Sequence, residues 1–315
     1  MKIMVYCKGI LQNGVLKNVS YFSSLNESLT SVLPKKIKEK ITMIYLILLA
    51  LLPAFILCGY VYSKDKVEKE PKGLLSVLFL FGVLSCIPAA ILEGIFEDIV
   101  EAVFSPIAGS SLYNFIYFVL AIALVEEGLK WLILIYKTSK NENFNCTFDA
   151  LIYSIFVSLG FAALENILYV TSNGVMNGIL RAVLSVPGHM FFAVFMGLYY
   201  GEWQMKKRVC DAENKLYEKG LINAVRSKGY KKSRFLSLFV PVIVHGFYNH
   251  CCTTMDAPGG FLIFLALMVF LYVRGFGKIK KMSANDCYSE DAIREKLVNK
   301  YPELEYEQLD EMLFL

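Results

Sequence analysis

The sequence is poor in charge. Asp, Glu, Lys and Arg make up only 19% of its 315 residues, against about 25% in soluble domains. So few charges cannot cover a water-facing surface, and a soluble globular fold is excluded. Histidine is scarcer still, with three in the whole chain. None of the eight cysteines forms a C-x-x-C pair, so neither a zinc knuckle nor a disulfide frame is indicated. No basic stripe alternates with aromatics, which argues against nucleic acid as a partner. No Ser-His-Asp or Cys-His constellation stands out for nucleophilic catalysis.

Apolar runs are what the chain has in plenty. Hydrophobic residues reach 56% and the mean hydropathy is +0.49. A helix needs about 20 mainly apolar residues to cross a bilayer. Seven stretches qualify: 42–62, 73–92, 112–136, 149–171, 179–200, 235–254 and 259–275. The expected fold is all-α, a polytopic helical membrane bundle of about seven transmembrane helices with a short amphipathic cytoplasmic tail. Residues 1–41 form a tail outside the core, 42–275 the bundle, and 276–315 an acidic tail.

Lysine and arginine set the sidedness of such a bundle. Loops after the first, third, fifth and seventh stretches are basic, with Lys64, Lys66, Lys69 and Lys72 in the first of them. Those after the second, fourth and sixth offer only Arg181. The rule places the basic side in the cytoplasm, the N-terminus outside and the C-terminus inside, in the membrane of a cell. Lys35, Lys36, Lys38 and Lys40 run against it. The basic loop 202–234 is expected to form a short interfacial helix on anionic lipid. Ile293, Leu297, Leu309 and Leu313 suggest amphipathic helices in the tail. Glu93, Glu97, Asp98 and Glu101 read as a solvated acidic loop, Asp149 as an N-terminal helix charge, and His250 as an interfacial residue.

Ionisable groups at membrane depth are costly and usually functional. Four consecutive stretches carry them: Glu126, Glu127 and Lys130; then Glu165, next to the polar Asn166; then His189; then His245, with the polar Asn249 one turn on. Taken singly, these would be an internal salt bridge, a core histidine and interhelical hydrogen-bond glue. Their coincidence at overlapping depths argues for one site, since such groups must face one another or water. His189, Ala193, Gly197 and Gly201 lie at i+4 spacing, a stripe of small residues that lets a neighbouring helix approach. Carboxylate and imidazole together support hydrolysis. They hold a divalent metal such as zinc, with Glu127, Glu165, His189 and His245 as candidate ligands, or activate water directly. His245 and Asn249 share a face and suit oxyanion stabilisation. The candidate catalytic set is Glu126, Glu127, Glu165, His189, His245 and Asn249.

In order, E-E-x-x-K (Glu126 to Lys130), G-F-A-x-x-E-N (Gly160 to Asn166), G-H-x-x-F (Gly188 to Phe192) and H-x-x-x-N (His245 to Asn249) resemble the PrsW family. These are bacterial intramembrane proteases, in the superfamily of type II CAAX prenyl endopeptidases and Abi proteins. The likeness spans about residues 43–275. It implies a bacterial cell-membrane protease that makes an outer-side cut in a single-span anti-sigma factor. By that analogy Glu126, with Glu127 beside it, activates water, and His245 with Asn249 forms the oxyanion pair. His189 matches the family's third-motif histidine. Glu165 stands where the prenyl endopeptidases carry a histidine, which alters the metal-ligand set. The alternatives are a transporter or sensor that binds an ion in the same cluster, and a CAAX-type peptide-processing endopeptidase.

Overall fold

A computed structural model describes residues 34–304 and Leu309. Most of the N-terminal tail, and Leu313 of the acidic tail, lie outside the described residues. Among those described there is no strand, only an isolated bridge between Cys146 and Tyr288. The helices are α1 (Lys35–Lys64), α2 (Lys72–Phe104), α3 (Ser111–Tyr117) and α4 (Leu124–Thr138). They continue with α5 (Asp149–Asn173), α6 (Val175–Val183), α7 (Ser185–Glu218), α8 (Tyr230–Thr253), α9 (Gly260–Ala284) and α10 (Ser289–Lys300).

Among the described residues, six helices are long and apolar enough to cross a membrane: Lys35–Lys64, Lys72–Ile107, Asp149–Asn173, Val175–Glu218, Tyr230–Thr253 and Gly260–Ala284. The protein is a multi-pass membrane protein. The stretch expected at 112–136 is composite: α3 passes into a π-helical turn, Phe118–Ala123, and then into α4. Other expectations need correction. The acidic residues Glu93 to Glu101 are not a loop, because α2 runs on without a break to Phe104. The start of the basic loop is likewise helical, since α7 continues to Glu218. The lone Gly94 is tolerated inside α2, the basic segment up to Glu218 has neither Gly nor Pro, and charge can end a membrane span without ending its helix.

The bundle is layered around α5 and α7. The apolar window of α5 is 72% buried, that of α1 only 17%. Peripheral α1, α2 and α9 turn Leu48, Phe55, Ile87, Ile91, Leu262 and Val273 outward, as lipid-facing helices must. The small-residue stripe of α7 is where α5 packs. Ser154 Oγ donates to the Ala193 carbonyl at 2.9 Å, and Ser158 Oγ to that of His189 at 2.9 Å. A Cβ on Gly197 would sit 2.8 Å from the Ala150 carbonyl oxygen, so only glycine permits this crossing.

The loops expected to share a side do meet at one end. Asn145 Nδ2 donates to Glu68 at 3.1 Å, Thr147 Oγ1 to Asp286 at 3.1 Å, and Arg208 to the Phe144 carbonyl at 2.6 Å. There α10 and Tyr301 pack with Val209, Leu216 and Ile222 into a separate apolar cluster. His250 lies at the other end, 3.3 Å from Ser111 Oγ.

Candidate metal and hydrolytic site

The π turn sits immediately before the paired glutamates. Such turns are rare and concentrate at functional sites. Here it resets the rotation of α4 relative to α3. The crossing of α8 over the turn is equally specific. A Cβ on Gly246 would lie 2.9 Å from Val119 Cα, so the glycine lets α8 close in and delivers its neighbour His245 to α4.

Five buried side chains then interlock. Lys130 Nζ lies 2.7 Å from Glu127 Oε1, 3.2 Å from Glu126 Oε2 and 3.2 Å from His189 Nδ1. His245 Nδ1 lies 3.0 Å from Glu127 Oε1. A carboxylate can only accept, so His245 donates from Nδ1, and Nε2 is left as its lone-pair nitrogen. His189 Nε2 lies 2.8 Å from Glu165 Oε2. The same rule makes Nε2 the donor there and leaves Nδ1 as the acceptor facing the lysine. The ring of Phe192 stacks on His245 at 4.6 Å between centroids. Phe161 lies under the Lys130 ammonium at 4.1 Å.

The sequence leaves room for only one glutamate at the centre, yet both reach it. Glu126, Glu127, His189 and His245 present one ligand atom each, all within 4.8 Å of one another. Among the described residues no other such group occurs. Glu165 stands just outside it and touches it through His189. Asn249 is buried one turn beyond His245 on α8. Exposure rises from 0% at the Glu127 side chain to 18% at Glu165, so the group opens towards Glu165.

The donor set fits a divalent cation. Glu127 Oε2 is buried without a partner, which is costly unless something positive takes it up. The Lys130 ammonium already contacts three of the four donors, a protein cation where an ion would be attracted. Among the described residues, Glu126, Glu127 and Glu165 pair with Lys130 and Arg181 as fixed cations. That leaves one net negative charge with the imidazoles neutral. Carboxylate and imidazole ligands suit zinc.

Sequence reasoning assigned Arg181 no role beyond topology, and gave none to Asn166. Arg181 contacts Glu165 at 2.8 Å and donates from Nε to Asn166 Oδ1 at 2.8 Å. Asn166 Nδ2 donates to the Ala50 carbonyl of α1 at 2.7 Å. The available signal was an arginine that stood alone among loops otherwise free of basic residues.

Known proteins match this chain well. The description of the matching family is "PrsW family intramembrane metalloprotease", and the match covers residues 70–274. The chain is 30% identical to Protease PrsW of Oceanobacillus iheyensis over 74% of its own length and 94% of that protein. It is 31% identical to Protease PrsW of Bacillus subtilis over 73% and 91%. Against Protease PrsW of Geobacillus kaustophilus it is 39% identical over 53% and 71%. No solved structure matches.

Proposed function

The chain belongs to the PrsW family of intramembrane metalloproteases, and from that premise we propose that it cuts a single-span membrane protein, an anti-sigma factor or similar regulator. The observation that carries the chemistry is the convergence of Glu126, Glu127, His189 and His245 from α4, α7 and α8. In this reading Glu127, His189 and His245 would hold the ion, taken as zinc, with one position left for water and Glu126 beside it. A bound divalent cation supplies Lewis-acid polarisation and a more acidic water.

The chain's own residues divide the remaining work. Glu126 makes one ion pair, while Glu127 holds both Lys130 and His245. Glu126 is therefore the freer base, taking a proton from the attacking water. Glu127 orients His245, and Phe192 fixes the ring from its face. The Asn249 amide, on the face of His245, donates to the carbonyl oxygen as negative charge develops there. Lys130 offsets carboxylate charge as protons move. The basic-loop end is cytoplasmic, with the N-terminus outside, because lysine and arginine retain loops on that side. Residues 42–275 form the proteolytic unit, with the first 41 residues and the acidic tail as appendages.

Co-expression with candidate single-span anti-sigma factors, tagged at both ends, tests this reading. A tagged fragment should form with the wild-type chain and disappear with Glu126→Gln. A fragment that persists in the variant, or none from any candidate, would contradict it.

A further inference from the structure

We propose that Arg181 is a positioning residue for the hydrolytic site, acting through Glu165 on His189. The inference rests on the reading of that site given above. Arg181 is 3% exposed on the short helix α6. Its guanidinium lies 2.8 Å from Glu165 Oε2, the same oxygen that His189 Nε2 reaches at 2.8 Å. One carboxylate oxygen thus takes an arginine on one side and a site histidine on the other.

The arginine is itself held on a second edge. Its Nε donates to Asn166 Oδ1, and Asn166 is anchored to the Ala50 carbonyl. The Tyr169 ring closes over the guanidinium at 4.1 Å. A planar group with several donors can serve Glu165 and Asn166 together, whereas a lysine offers a point charge on a flexible stem. This placement has a consequence at the site. Glu165 is the most open of the linked side chains, at 18% exposed, so without Arg181 it is free to turn towards water. His189 would then lose the acceptor that fixes Nε2 as its donor and Nδ1 as its lone-pair nitrogen. Partners that orient a ligating histidine in this way are worth about 10–100-fold in metal affinity or activity. The effect of Arg181 on His189 passes through the Glu165 carboxylate that the two share. A merely structural arginine would pin α6 to α5 and leave the metal affinity alone.

The test uses the purified full-length chain with Zn²⁺ as the probe, measured by competition with a chromogenic chelator. Thermal unfolding is followed in parallel for wild type, Arg181→Gln, Arg181→Lys, Glu165→Gln and the Arg181→Gln/Glu165→Gln pair. Arg181→Gln should weaken Zn²⁺ binding by roughly 10–100-fold, and Glu165→Gln by a similar factor. The double variant should bind no worse than Glu165→Gln alone, because the arginine acts through that carboxylate. Wild-type affinity in Arg181→Gln overturns the proposal, as do losses that multiply in the double variant. If Arg181→Gln does not fold, Arg181→Lys carries the same comparison, since it keeps the charge but not the two-edged grip. A wild-type chain that binds no Zn²⁺ would overturn the metal site itself, a failure distinct from an intact site indifferent to Arg181.

Discussion

At the loop end of the bundle, Asp149 Oδ2 accepts from the backbone N–H groups of Asn145 and Cys146 at 2.9 and 2.6 Å. Asp65 Oδ2 accepts from that of Glu70 at 2.9 Å, and Glu70 from the Tyr153 hydroxyl at 2.7 Å. Glu127, deep in the bundle, takes only side chains, Lys130 and His245. Both regions bury carboxylates, so burial alone does not mark a site. The partners do. Backbone donors and a tyrosine tie a carboxylate into the fold and leave no ring nitrogen for an ion. Imidazoles and an ammonium from different helices form a group that can exchange protons and partners. Removing a residue should therefore cost activity in one region and stability in the other.

The sharpest contrast comes from amide substitutions at the two glutamates. Glu126→Gln should lower cleavage by about 10²–10⁴-fold, the usual worth of a general base, and Glu127→Gln, which loosens His245 and the ion, should lower it too, both at near-normal protein level. Protein lost in proportion to activity would erase the distinction between the regions. Next in size is Asn249→Ala, which should cost about 10²–10³-fold in turnover. An unchanged rate would remove the amide from the reaction.

Asp149→Ala should do the reverse. It leaves two backbone N–H groups unpaired and should destabilise the chain by roughly 1–3 kcal/mol, read as a lower unfolding midpoint with cleavage per folded molecule unchanged. The smallest effect concerns pH. Burial pushes the Glu70 carboxyl up to about 7, with Asp65 and Glu68 adding repulsion and Tyr153 opposing. A group whose folded pKa is raised stabilises the fold while protonated in it. That contribution is complete below the ordinary value of 4.5 and is lost as pH rises through about 7. Glu70→Gln should flatten this fall in stability; a slope that persists would place its origin elsewhere.

The meeting of Glu126, Glu127, His189 and His245 was legible because ionisable residues in apolar runs are rare and each run supplied one set. The stripe from His189 to Gly201 was legible as well, since a helix repeats its face every four residues and small residues there have few other uses. The π turn was not, because Phe118–Ala123 is an ordinary apolar string and its geometry comes from tertiary packing. Nor was the pairing of Arg181 with Glu165, which depends on how α6 returns against α5. The acidic end of α2 was misread because charge ends a membrane span without ending a helix.

The central claim is that Glu127, His189 and His245, with Glu126 beside them as base, hold a divalent ion used in hydrolysis. Metal analysis of the purified chain, paired with cleavage before and after chelation, tests it most directly. The account predicts about one zinc per chain, loss of cleavage on its removal, recovery on its return, and no bound zinc in His245→Ala. Full cleavage by the metal-free chain would contradict it.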